Sequence, residues 1–110
     1  MELKLKVYKT QREVEKEYKT DGYDLMTGTV EEILKEIDIE TILSKNDDEQ
    51  MIELIKFVTK NFNRIYPIVH DMFGITEEEY KRTKVKELAT VLIQFVATSL
   101  DLMNKLETKN

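Results

Sequence analysis

The chain has no cysteine and no tryptophan, and only one histidine, one proline and three glycines in 110 residues. Without cysteine there are no disulfides, no thiolate nucleophiles and no sulfur-ligated metal sites. One histidine cannot build a His-based metal cluster from a single copy of the chain. Gly22, Gly28 and Gly74 lie far apart, so no glycine-rich loop exists to cradle a phosphate. Positive charge is not in excess either. Lys and Arg total 17 against 22 Asp and Glu, a net charge of -5, which argues against a dedicated nucleic-acid binder. No long apolar run occurs: the densest stretch, Val85 to Leu106, is interrupted by Lys86, Glu87, Gln94, Asp101 and Asn104, whereas a bilayer span needs about 20 mostly apolar residues. Met1 to Lys6 alternates and lacks the apolar segment of a secretory signal. The expectation is a soluble, cytoplasmic protein with no membrane partner. What is present is 41% apolar and 35% charged residues, a composition rich in helix formers and too apolar for a disordered chain. At this length one domain with a real core is feasible.

Leu3, Leu5 and Val7 alternate with Lys4, Lys6 and Tyr8, the period-2 pattern of a half-buried strand. After Lys9-Thr10-Gln11-Arg12, a second alternation sets Val14, Lys16 and Tyr18 against Glu13, Glu15 and Glu17. The pair reads as a β-hairpin over 1–23, with a helix over 11–19 as the competing reading because Glu and Lys are good helix formers. Thr29-Val30-Glu31-Glu32 has the form of a capping box opening a helix whose apolar face is Ile33, Leu34 and Ile37, with Glu31 placed to pair with Lys35. Asp38 and Thr41 suggest a break. Asn46-Asp47-Asp48 supplies an N-cap and favourable first-turn charge for a second helix. Met51, Ile52, Leu54, Ile55, Val58 and Phe62 recur there at helical spacing. Pro67 predicts a kink or a new short helix from Pro67 to Phe73, ended by Gly74. Thr76-Glu77-Glu78-Glu79 is a second capping box, with Glu77–Lys81 and Glu78–Arg82 in the favourable order.

A long helix then runs from Thr83 to about Leu106. Val85, Leu88, Leu92, Val96, Met103 and Leu106 form one stripe; Val91, Phe95 and Leu102 form another, so apolar residues cover more than half the circumference. Such a helix sits at the centre of its domain, or else its second stripe meets another chain, which leaves self-association open. The fold class is mostly α (α+β): a single domain over 1–110 with a hairpin at 1–23, helices over 29–73, a capped turn and long C-terminal helix over 76–106, and a tail at 107–110.

Reactive constellations are missing. No Glu-x-x-Glu, Glu-x-x-Asp or Glu-x-x-His spacing of the kind helical metal sites use occurs in the chain. Asp21 and Asp24 have that spacing but fall in a turn-like stretch. His70 beside Asp71 has no serine or cysteine near it in sequence. Lys81, Arg82, Lys84 and Lys86 make a small basic cluster closely flanked by Glu77, Glu78, Glu79 and Glu87, which reads as a salt-bridged, solvated surface. The expectation is a non-enzymatic chain with no catalytic residues, no cofactor, no metal and no nucleic-acid partner.

Two stretches carry a resemblance. One is Tyr23-Asp24-Leu25-Met26-Thr27-Gly28-Thr29-Val30-Glu31-Glu32-Ile33-Leu34, continuing to Ile37-Asp38; the other is Asp71-Met72-Phe73-Gly74-Ile75-Thr76-Glu77-Glu78-Glu79, then Arg82-Thr83-Lys84-Val85-Lys86-Glu87-Leu88. Together they resemble the tail assembly chaperones of long-tailed, siphovirus-type phages and prophages of Gram-positive bacteria, in element order across nearly the whole chain. Many of those proteins have a proline near the second motif, whereas Pro67 comes earlier here. The resemblance implies a chaperone that binds the tape measure protein and keeps that long rod soluble. It further implies help in recruiting tail tube subunits through a longer frameshift product, and absence from the finished virion. The apolar side chains that fit helix-in-groove contacts are Val91, Phe95 and Leu102 on the last helix and Tyr66 and Phe73 near Pro67. The alternative is a small acidic phage- or plasmid-borne regulator that sequesters a protein partner.

Overall fold

The structure, a computed structural model, describes residues 1–38, 41, 42 and 44–107, with side chains in the last helix described as far as residue 97. It is an α+β fold in which an antiparallel hairpin precedes the helices. Strand β1 spans Glu2–Thr10 and β2 spans Glu13–Asp21. A 3-10 turn at Gly22–Asp24 leads to α1 (Thr27–Glu36), then α2 (Asp47–Lys60), α3 (Phe62–Phe73), the single turn α4 (Glu77–Tyr80) and α5 (Val85–Glu107).

The hairpin register pairs Leu3 with Thr20, Leu5 with Tyr18 and Val7 with Lys16, so one face carries all three apolar residues of β1. Leu3, Leu5 and Val7 are fully buried, whereas β2 is mostly exposed. The strands are therefore bound asymmetrically: β1 anchors the sheet to the core and β2 covers its edge. Across the pair Lys6 faces Glu17, a favourable pairing, but Lys4 faces Lys19. A bulge between Val7 and Tyr8 shifts the register near the tip.

The core lies between the inner face of β1 and helices α2 and α5, with α1 packed on α3 and α3 reaching β2. Helix α2 begins as its sequence predicts, the Asn46 side chain accepting the Glu49 N–H at 2.9 Å, with Asp47, Asp48 and Glu49 in the first turn. The Thr76 capping box is also present in full: Glu79 N–H to Thr76 Oγ1 at 3.2 Å and Thr76 N–H to Glu79 Oε1 at 3.0 Å. Gly74 closes α3 with φ 74°, a left-handed conformation that a side chain would strain.

Three boundaries differ from the sequence reading. Helix α1 starts at Thr27, not after Thr29, and Met26 at its N-cap makes no side-chain capping bond. Thr29 is buried on the inner face one turn before Ile33, so packing, not capping, decides its place. Pro67 does not begin a helix; α3 begins at Phe62, after a break at Asn61 (φ −121°, ψ 28°) whose side-chain amide donates to the Phe57 carbonyl at 3.0 Å. Pro67 is tolerated inside α3 because it lies on the solvent side, where the carbonyl of the equally exposed Asn63 can turn to water. Helix α5 starts two residues after Thr83, whose hydroxyl instead donates to the Tyr80 carbonyl at 2.7 Å. No helix among the described residues is long and apolar enough to cross a membrane.

Candidate partner-binding surface

The described apolar residues expected to contact a partner fall into two environments. Phe73, Val91 and Phe95 belong to the core; Phe95 is 2% exposed. In this fold they offer almost no side-chain surface to a partner, which argues against the contact role expected of them. For Val91 and Phe95 the reason is that α5 is gripped from two sides, by α2 and by β1, so from residue 88 as far as residue 97 the apolar residues of both stripes are buried within the chain. Tyr66 is half-buried in an aromatic cluster, its ring centroid 5.2 Å from Tyr80 and 5.8 Å from His70. Tyr80, 4.4 Å from Phe62, donates its hydroxyl to the Phe62 carbonyl at 2.9 Å, and burial pushes its phenol pKa up. Tyr66 is thus a strut between α3 and α4. Leu102 lies outside the side chains described.

The polar candidates are likewise committed to structure. His70 Nδ1 is 2.8 Å from the Ile75 carbonyl; a carbonyl can only accept, so Nδ1 carries the proton and the ring braces the turn after α3. Among the described residues no three His, Asp or Glu side chains converge as metal ligands. Glu79 is a buried carboxylate, 7% exposed, that accepts from the Tyr18 hydroxyl at 2.6 Å and pairs with Lys16 while closing the Thr76 capping box. The Lys16 ammonium, the Tyr18 hydroxyl and the Thr76 N–H together hold its pKa down to about 2. Lys16 is raised in return, first by its hydrogen bond to Glu79. One residue beyond the Val7–Lys16 pair, the Tyr8 hydroxyl donates to Glu87 at 2.7 Å, and that bond raises its pKa.

What remains uncovered is a surface that helical periodicity did not single out. Met26 is 67% exposed, Tyr23 58% and Leu34 41%, with Val30 half-buried between them. Met26, Val30 and Leu34 recur every four residues, so they line one side of α1 beside the inward face made by Thr29, Ile33 and Ile37. The apolar arc of α1 is therefore wider than the strip its neighbours cover. Ile33, Leu34 and Ile37 look alike in sequence; the signal that separates them is that Leu34 continues the Met26–Val30 row while Ile33 and Ile37 continue the Thr29 row. Ile52 on α2 and Val14 on β2 are also exposed, each on a different element. No family model, curated protein or solved structure matches the chain.

Proposed function

We propose that this chain is a tail assembly chaperone: it binds the tape measure protein, holds that helical rod soluble, and works with a longer frameshift product to bring tail tube subunits to it. The observation that carries this reading is the uncovered side of α1. Tyr23, Met26, Val30 and Leu34 all fall inside the first of the two stretches on which the family resemblance rests. An uncovered apolar row with an adaptable methionine and an aromatic side chain suits the apolar face of a partner helix. The charged remainder of the surface suits a protein that keeps an aggregation-prone partner in solution.

The test is co-expression with the neighbouring tape measure protein, followed by size exclusion with light scattering. A soluble complex is expected with the unaltered chain. Replacing both Met26 and Leu34 with Glu should abolish it. Because both positions are exposed, that variant should unfold within about 0.5 kcal/mol of the parent. If the tape measure protein stays insoluble beside the unaltered chain, and adding the longer product does not rescue it, the reading fails.

A further inference from the structure

We propose that the cleft between the tip of the hairpin and the α4–α5 connection binds a phosphoryl oxyanion. The cleft, about 200 Å³, takes Lys9, Thr10 and Gln11 from the hairpin and Lys81, Arg82 and Lys84 from the connection, with no acidic residue in its lining. In a chain of net charge -5 this is a local reversal of sign. The sequence places Glu77, Glu78, Glu79 and Glu87 around these cations, but the fold turns most of them away. Glu79 faces Lys16 and Tyr18, Glu87 takes the Tyr8 hydroxyl, and of these four Glu78 alone pairs with the cluster, 3.7 Å from Arg82, where Glu15 of β2 also pairs at 3.1 Å. The expected Glu77–Lys81 pair is not made: among the described residues no carboxylate lies within 4.0 Å of the amino groups of Lys9, Lys81 or Lys84.

Arg82 makes the cleft rigid. Its carbonyl accepts the Tyr8 N–H at 2.8 Å, and its Nη1 donates to the Tyr8 carbonyl and to Glu15, each at 3.1 Å, which pins the two walls together. The Lys84 ammonium rests over the Tyr8 ring, 4.2 Å from its centroid. Thr10 Oγ1 accepts from the Arg12 N–H at 3.4 Å, which leaves its own O–H to donate. The ammonium groups of Lys9 and Lys81, and that of Lys84 held only over the Tyr8 ring, have no carboxylate to neutralise them, and a compact dianion relieves their mutual repulsion. The volume lies below the range of organic-ligand pockets, about 300–1,000 Å³, and suits a single phosphoryl group. Lysines act on phosphate as point charges, and a phosphoryl group carries about −1.5 to −2 at neutral pH.

The test is a 15N chemical-shift titration with inorganic phosphate at constant ionic strength, with chloride as the reference anion. Saturable shifts are expected at the amides of residues 9–11 and 81–84, and each of Lys9→Gln, Lys81→Gln and Lys84→Gln should weaken binding by about threefold. Lys56→Gln and Lys60→Gln, on α2, should change nothing. Two further arms separate the sources of the phosphoryl group. A nucleoside triphosphate that binds as tightly as a single-stranded oligonucleotide identifies a small phosphorylated ligand. An oligonucleotide that binds far more tightly, with affinity falling steeply with salt, identifies a nucleic-acid backbone. Shifts that do not saturate, or that spread equally to Lys56 and Lys60, would overturn the proposal.

Discussion

Glu79 joins three parts of the chain through one carboxylate: β2 through Lys16 and Tyr18, the turn after α3 through Thr76, and its own single-turn helix α4. A four-residue helix cannot hold itself together, so its place depends on these bonds. Because the folded pKa, about 2, lies below the usual 4.5, the stabilisation is fully present above pH 4.5 and is lost as the pH falls from there toward 2. The raised pKa of Lys16 acts in the opposite sense, its share being present below the usual 10.5 and lost as the pH rises above it. Glu79→Gln keeps an acceptor for the Thr76 N–H but removes the charge facing Lys16. It should cost about 1–3 kcal/mol at pH 7 by urea denaturation, with the gap from the parent closing as the pH approaches 2. A gap that is independent of pH would show that the carboxylate acts by shape alone.

At the scale of elements, the sequence was legible where local chemistry and tertiary packing agree. The alternation Leu3, Leu5, Val7 placed β1 and its inner face, and Asn46 and Thr76 marked helix starts whose caps are formed as predicted. It misled where packing overrides the local signal. Thr29 looks like a cap but is buried inside the first turn of α1, and Pro67, which reads as a kink or a new helix, does not start one but sits on the solvent side within α3. The candidate surface was hidden for a related reason: the spacing of Ile33, Leu34 and Ile37 shows that α1 is amphipathic, but not how much of its apolar arc its neighbours will cover. The asymmetry of the hairpin gives a direct check. Leu5→Ala on β1 opens a cavity in the core and should cost about 2–4 kcal/mol, whereas Glu17→Gln on exposed β2 should stay within about 0.5 kcal/mol. Chemical denaturation of both variants decides it; equal losses would mean that β2 is as deeply anchored as β1.

For the whole molecule, α5 packs chiefly against α2 and β1, and here sequence and structure meet on different terms. Apolar coverage beyond half the circumference allowed either a central helix or a stripe offered to another chain. Periodicity counts which residues share a side; it does not count how many neighbours arrive, and so could not choose. With α2 on one side and β1 on another, Leu88, Leu92 and Val96 of the first stripe and Val91 and Phe95 of the second are all buried. Phe95→Glu would therefore strand an unpaired charge in the core beside a lost aromatic side chain. That is expected to cost more than about 4 kcal/mol. Stability of about 5–15 kcal/mol is typical of such a domain. The variant should lose near-UV signal and amide-shift dispersion, while the Met26 and Leu34 glutamates leave both intact. The pair of outcomes separates core from contact without any partner present. A Phe95→Glu chain that still unfolds cooperatively, with native dispersion, would place Phe95 at a surface and return the second stripe of α5 to the list of docking faces.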